Sequence, residues 1–205
     1  LGLILINLFS ERAFQIGLAV KICFLLCIFP VIQTDWFVPF ISSFLQNPSL
    51  SPWDHFISSG GDILAFPYGP TMFLVYLPVS ALGWFVDNIF NSSYFLNLGF
   101  QLTLLIADIF LLLTLIQQFE QYRKQIIIYY WLSPLILYIT YWHGQIDLIP
   151  VAFLFYSVGL LKKGDYKLGG IFLALSVTAK YSMLIGVPLI FVYLWLNQNV
   201  KGGFW

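Results

Sequence analysis

Long apolar stretches alternate with short polar connections along almost the whole chain. A hydrocarbon layer about 30 Å thick takes about 20 helical residues to cross, so 205 residues leave room for about six or seven crossings. The pattern therefore predicts an all-α fold, a polytopic transmembrane helical bundle in one domain. The stretches are 14–34, 69–87, 95–117, 126–142, 147–161, 168–179 and 181–196.

The charged residues between the stretches indicate which of them cross. If all seven crossed, Arg123 and Lys124 would face the side opposite Arg12, against the preference of short cytoplasmic loops for positive charge. The stretch 69–87 contains two prolines and ends in an aspartate, which favours a helix that lies in or dips into the interface. When this stretch is excluded from the membrane-crossing helices, about six spans remain. A large first outer loop at about 35–94 then contains juxtamembrane helices.

This topology separates acids from cations. Seven of the nine cations face the cytoplasm and five of the nine acids face outward. The deep residues Lys21 and Asp108 each lie about 13 Å from the cytoplasmic end at 1.5 Å per residue, so they could pair; snorkelling of Lys21 is the alternative. The cytoplasmic cations are Arg12, Arg123, Lys124, Lys162, Lys163, Lys167 and Lys201, and the outer acids are Asp35, Asp54, Asp62, Asp87 and Asp147.

Composition agrees with a membrane protein, because 60% of the residues are hydrophobic and only 9% are charged. The formal net charge of zero makes nucleic acid an unexpected partner. The chain begins at Leu1 rather than methionine, and we expect it to be the N-terminal part of a longer transmembrane domain. A bacterial or archaeal plasma membrane is favoured over the endoplasmic reticulum.

The first outer loop supplies two candidate catalytic acids. Asp35 lies at the mouth of the first span, and Asp62 lies nearest a turn rich in glycine and proline. A solvated acid at a helix end is the alternative reading of Asp35. The adjacent Asp54 and His55 rank lower because neighbouring side chains point apart on most backbones, and Asp87 is interpreted as a solvated helix end.

Two further outer elements carry polar groups between apolar helices. His143, Gly144, Gln145, Ile146 and Asp147 join two spans, and lipid offers their polar groups no partners. This favours a cavity, with a satisfied interfacial turn as the alternative. Asp147 begins the next helix, where the helix dipole favours its charge.

Lys180 is the only lysine or arginine on the outer side, between two short apolar helices. An ammonium at headgroup depth could bind a lipid phosphate, and plain snorkelling is the alternative. Outer carboxylates and a cation suit group transfer, because attack needs a base and the departing phosphate needs a positive charge. No glycine-rich phosphate loop appears on the cytoplasmic side, which favours a lipid-linked donor.

These residues resemble the GT-C superfamily of integral-membrane glycosyltransferases. The resemblance covers nearly the whole chain and is carried by Asp35, the 66–70 turn (Phe-Pro-Tyr-Gly-Pro), Ile106 to Asp108, and the run from Trp131 through Asp147 to Lys180. The chain is similar to dolichyl-phosphate-glucose glucosyltransferases and to bacterial polyprenyl-phosphate mannosyl- or aminoarabinose transferases. In the glucosyltransferases an acid directly precedes a Tyr-Pro-Pro turn, whereas here the acid nearest Tyr68 is Asp62.

The resemblance implies an inverting hexosyltransferase, mannosyl or glucosyl, that uses a polyprenyl- or dolichyl-phosphate sugar. Asp35, Asp62 and Asp147 would be catalytic, with Asp35 as base, and the acceptor would be a glycan, a lipid or a protein. No cofactor is required, and a divalent ion such as Mg²⁺ or Mn²⁺ remains open. The alternatives are a lipid or polysaccharide flippase or transporter, and a non-catalytic assembly subunit. Residues that would bind the donor phosphate are Lys180, His143, Gln145 and Tyr68.

Overall fold

A computed structural model describes residues 8–198 of the chain, with side-chain burial up to residue 196. Over that range the protein is all-helical, with 81% of residues in helix and no strand, which confirms the predicted fold class. The α-helices are α1 (Arg12–Cys27), α2 (Val38–Gln46), α3 (Pro52–Ser58), α4 (Pro70–Phe90), α5 (Tyr94–Gln118), α6 (Arg123–Ile126), α7 (Pro134–Leu137), α8 (Leu148–Lys162), α9 (Tyr166–Ala179) and α10 (Gly186–Gln198).

Shorter helical turns connect these elements. Three of them are π-helical, with five residues each: Gln33–Phe37, Ile127–Trp131 and Tyr138–Trp142. Two are 3₁₀ turns, Glu120–Tyr122 and Tyr181–Ile185. The first π-helical turn runs directly into α2, and the third precedes the 143–147 loop, so both lie in segments that carry candidate site residues.

Prolines divide two stretches that the sequence predicts as continuous. The stretch 14–34 is helical only to Cys27, and Ile28 is extended at φ −124° and ψ 119°. A proline provides no backbone N–H and disfavours helix in the residue before it, so the helix ends ahead of Pro30. Likewise, the stretch 126–142 is interrupted directly before Pro134, the first residue of α7. The Ser133 side chain caps α7 by accepting from the Ile136 amide.

Two helices, α4 and α5, are long and apolar enough to cross a membrane, with 21 and 25 residues. The apolar helices α8, α9 and Tyr181–Leu196 are shorter, between 10 and 17 residues. The predicted six-span arrangement is therefore not confirmed. Two such helices are weak evidence of membrane association, because the buried core helix of a water-soluble protein can have the same length and composition.

Helix α4 covers the stretch 69–87, which the sequence predicts to lie in or dip into the interface. It continues through Pro78 for 21 residues and packs antiparallel to the first half of α5. The Tyr76 ring stacks on Phe100 with centroids 3.9 Å apart, and Gly83 lies against the backbone of Phe95. The start of α4 meets the end of α9, where the Gly69 amide donates to the Ala179 carbonyl at 2.9 Å.

Two hydrophobic clusters fill the interior. One joins α2, the 66–68 turn, α4, the start of α5 and the start of α8; the other joins α1, the second half of α5 and the 127–131 turn. Near the second cluster, Arg123 donates to Glu11 at 2.8 Å and the Lys162 ammonium lies 5.6 Å from the Phe119 ring. These contacts bring cations from α6 and α8 to one end of the bundle. Lys201 lies outside the described residues.

The acid Asp87 is not the solvated helix end that the sequence suggests. Its side chain is 6% exposed, and its two carboxylate oxygens accept from the backbone amides of Phe95 and Leu96 at 2.9 and 2.7 Å. The first amides of a helix have no partner within the helix and favour a negative charge. Asp87 therefore caps α5 from the end of α4.

The predicted pairing of Lys21 with Asp108 is confirmed. The Lys21 ammonium donates to Asp108 Oδ2 at 2.5 Å, and the two side chains are 1% and 0% exposed. Tyr130 and Tyr141 also donate to the carboxylate, at 2.6 and 2.7 Å, and the ammonium lies 3.9 Å from the centre of the Trp131 ring. This network joins α1, α5 and both π-helical turns of the 127–142 region.

Candidate functional site

Three side chains from distant parts of the chain meet at the end of the bundle opposite Arg123. The Lys180 ammonium lies 2.6 Å from Asp147 Oδ2, and the Tyr68 hydroxyl donates to Asp147 Oδ1 at 3.1 Å. The ammonium also lies 5.4 Å from the centre of the Tyr68 ring, a distance typical of a cation–π contact. We call Tyr68, Asp147 and Lys180 the rim cluster.

The rim cluster lies where helix ends converge. Asp147 directly precedes α8, and Lys180 directly follows α9. A carboxylate at a helix N-terminus and an ammonium at a helix C-terminus are both stabilised by the helix dipoles, typically by about 0.3–1 kcal/mol each. The sequence alone places both charges at these ends, and the antiparallel pairing of α8 with α9 brings them into contact.

The close approach of the 66–69 turn to α9 positions Tyr68. Gly69 lies against the Thr178 carbonyl so closely that a Cβ atom would collide with it. Next to this contact the hydroxyls of Thr71 and Thr178 are 2.7 Å apart. Glycine at position 69 therefore lets the turn lie against the end of α9, directly before Lys180.

The rim cluster is partly open, unlike the Lys21–Asp108 pair. The Lys180 side chain is 30% exposed and that of Asp147 is 39% exposed, whereas Tyr68 is 9% exposed. Burial, followed by the charge of Asp147 and the hydrogen bond to it, raises the pKa of the Tyr68 hydroxyl. Tyr68 therefore stays a protonated donor across the physiological pH range. Lys180 and Asp147 are exposed enough to contact a ligand.

Asp35 lies on the π-helical turn that packs beside the rim cluster. Gln33 donates from its buried amide to the Gly144 carbonyl at 3.2 Å, and the Phe37 and Tyr68 rings are 5.6 Å apart. Asp35 itself is exposed and accepts from Thr34 Oγ1 at 2.9 Å. Among the described hydrogen bonds and ion pairs, none joins Asp35 to Asp147 or Lys180.

The other predicted site residues lie apart from the rim cluster or beside it. Asp62 is exposed and accepts from the Leu64 amide at 2.7 Å, which shapes its own turn. His143 is exposed, with its ring 6.3 Å from that of Tyr138. Gln145 is half-buried; both residues belong to the loop that leads to Asp147, and no described side-chain hydrogen bond joins them to the cluster.

The sequence did not indicate two residues whose hydrogen bonds hold the segments of the site together, Gln33 and Tyr141. Gln33 anchors the Asp35 turn to the 143–147 loop, and Tyr141, on the π-helical turn that precedes this loop, donates to Asp108. A glutamine inside an apolar stretch, two residues before an acid, was the available signal for Gln33. Nothing in the spacing of the tyrosines indicates that two of them meet at one carboxylate.

A metal centre formed by side chains is not found in residues 8–198, where no group of three or more His, Cys, Asp or Glu residues could hold an ion. Cys23 and Cys27 are free and exposed. In comparisons with known proteins, no family model, no curated protein and no solved structure matches the chain.

Proposed function

We propose that this chain belongs to an integral-membrane glycosyltransferase that transfers a hexose, mannose or glucose, from a polyprenyl or dolichyl phosphate at the outer membrane face. The observation that carries the proposal is the rim cluster. It is a partly exposed ion pair at helix ends, and it lies opposite the end where Glu11 binds Arg123.

A lipid environment accounts for the apolar surface of α4. Only 22% of the most apolar window of this helix is buried, and the side chains of Leu74, Leu82 and Phe85 are 61%, 69% and 62% exposed. An apolar surface of this kind on a protein in water would mark an interaction site or cause aggregation. In the bilayer the same side chains contact lipid, and the packed face of α4 is left for α5.

Lys180 suits the phosphate of a lipid-linked donor. An ammonium group carries three N–H donors, and the contact with Asp147 occupies one of them. The remaining donors can reach phosphate oxygens, while Asp147 and the ring of Tyr68 hold the ammonium in place. A positive charge fixed in advance stabilises the negative charge that develops on the departing phosphate.

In the proposed reaction the acceptor hydroxyl attacks the anomeric carbon of the sugar from the face opposite the phosphate. The bond between the anomeric carbon and the acceptor oxygen forms, and the bond to the phosphate oxygen breaks with inversion. Asp35 takes the acceptor proton, and the electron pair of the broken bond leaves with the lipid phosphate beside Lys180. Asp35 suits the base role because it is exposed and lies on the turn that contacts Gly144 and Tyr68 through Gln33 and Phe37.

The test uses purified full-length protein and a panel of radiolabelled polyprenyl-phosphate hexoses. We expect transfer from at least one donor, and Lys180→Met should lower it about 10²–10³-fold, as loss of a preorganised charge-stabilising group does. Lys163→Met is the matched control, because Lys163 is exposed and follows the far end of α8. Absence of transfer from every donor, or full activity in Lys180→Met, would overturn the proposal.

A further inference from the structure

A cavity of about 660 Å³ opens next to Asp35, between the chain after α1, the segment that leads into α2, and the start of α5. It is separate from the rim cluster, because Tyr68, Asp147 and Lys180 do not line it. We call it the outer cavity. Its polar lining includes Thr34, Ser42, Ser93 and Asn97, and its aromatic lining is Phe29 and Tyr94.

The polar side chains of the outer cavity retain hydrogen-bonding capacity. Ser42 Oγ accepts from Gln46 at 3.1 Å, so its own hydrogen is left to donate. The Asn97 amide nitrogen donates to the Ser93 carbonyl at 2.8 Å, which leaves the amide oxygen as an acceptor. Donors and acceptors are thus interspersed over the wall, as a ligand with several hydroxyl groups requires.

The charge of the outer cavity argues against an anionic ligand. No lysine or arginine lines it, and the Thr34 hydroxyl on its wall is bonded to the Asp35 carboxylate. A phosphate or carboxylate there would meet a negative charge without a cation to balance it. A neutral ligand is therefore favoured.

The aromatic pair of the outer cavity offers ring surface for a sugar. Phe29 and Tyr94 are 5.1 Å apart in an edge-to-face arrangement, and Tyr94 is held by a bond from its hydroxyl to the Leu26 carbonyl at 3.0 Å. The negative faces of aromatic rings attract C–H groups, which pyranose rings present between their hydroxyls. A volume of this size is also typical of small-molecule sites.

We infer that the outer cavity binds a neutral carbohydrate, the acceptor of the sugar. The identification as acceptor rests on the proposed function, whereas carbohydrate binding itself does not. Thr34 links the cavity to Asp35, so an acceptor hydroxyl bound there would lie beside the carboxylate that takes its proton. The cavity thus deepens the proposed site by giving the acceptor a class and a place.

The experiment measures binding rather than transfer. Saturation-transfer NMR on the purified full-length protein uses methyl glycosides of glucose, galactose and mannose as probes. We expect saturation transfer to at least one probe with the wild type, and its loss in Ser93→Trp, because an indole at this exposed position would fill the cavity. Leu50→Trp is the matched control, since Leu50 is 106% exposed and does not line the cavity.

The outcomes separate this inference from the proposed function. No saturation transfer to any probe with the wild type, or an unchanged signal in Ser93→Trp, would overturn the carbohydrate site even if sugar transfer from a lipid phosphate occurs. Binding that is lost in Ser93→Trp, without any transfer from lipid phosphates, would support the carbohydrate site and reject the transferase. Ser42→Ala tests the same wall without added bulk and should weaken binding while leaving the fold intact.

Discussion

At the residue scale, the buried ion pair and the exposed ion pair have different physical roles. Lys21 and Asp108 are removed from water together with two tyrosine hydroxyls, so each charge depends on the other. Lys180 and Asp147 remain about one third exposed and can exchange partners with a ligand. Because of this difference in exposure, we assign a structural role to the Lys21–Asp108 pair and a role in the proposed reaction to the Lys180–Asp147 pair.

The buried pair gives a stability prediction. Lys21→Met leaves the Asp108 carboxylate buried without its cation, and the expected loss is about 3–5 kcal/mol in the free energy of unfolding. The double variant Lys21→Met/Asp108→Asn should recover most of this loss, because the amide oxygen can accept from one tyrosine and the amide NH₂ can donate to the hydroxyl oxygen of the other. Thermal unfolding in detergent measures both, and the exposed Lys124→Met is the control. Equal stability of wild type and Lys21→Met would show that the pair contributes nothing.

At this scale the sequence indicates single residues better than their partners. Position along apolar stretches was enough to predict the depth match of Lys21 and Asp108, and the single outer lysine pointed to position 180. The contact of Tyr68 with Asp147 spans 79 positions, and it depends on the packing of a turn against α9. The position of a residue along an apolar stretch indicates its depth but not how a turn packs against a helix, so the sequence did not predict this contact.

At the element scale, the boundaries follow local chemistry where the apolar pattern is uninterrupted. The predicted 95–117 and 147–161 agree closely with α5 and α8. The prediction was less accurate at prolines, which ended α1 early but did not interrupt α4 at Pro78. A proline within a helix costs about 3 kcal/mol or more, and the extensive packing of α4 on α5 offsets that cost.

Close packing of α4 on α5 predicts the effect of a single methyl group. In Gly83→Ala the new Cβ would collide with the Phe95 backbone, and we expect a loss of about 1–3 kcal/mol in the free energy of unfolding. Gly170 lies in α9 with nothing within 4 Å of an added Cβ, so Gly170→Ala should instead be neutral or stabilise by up to about 1 kcal/mol. Chemical or thermal unfolding distinguishes the two, and equal effects would contradict the packing.

At the scale of the whole molecule, charge separation connects the fold with the proposed function. Residues 8–198 hold an Arg123–Glu11 contact at one end and the rim cluster at the other. The sequence predicted this polarity from the distribution of cations, because loop charge depends on membrane sidedness. It did not predict that Asp35 lies next to a cavity, because a cavity is formed by several segments at once.

The central claim is that the rim cluster and the outer cavity face the outside while the Arg123 end faces the cytoplasm. The most direct measurement is labelling of single cysteines with a membrane-impermeant maleimide in intact cells, in a Cys23→Ser/Cys27→Ser background. The account predicts that Leu50→Cys, in the exposed loop between α2 and α3, is labelled in intact cells. Lys163→Cys should be labelled only after permeabilisation, and labelling of both positions from the same side would contradict the account.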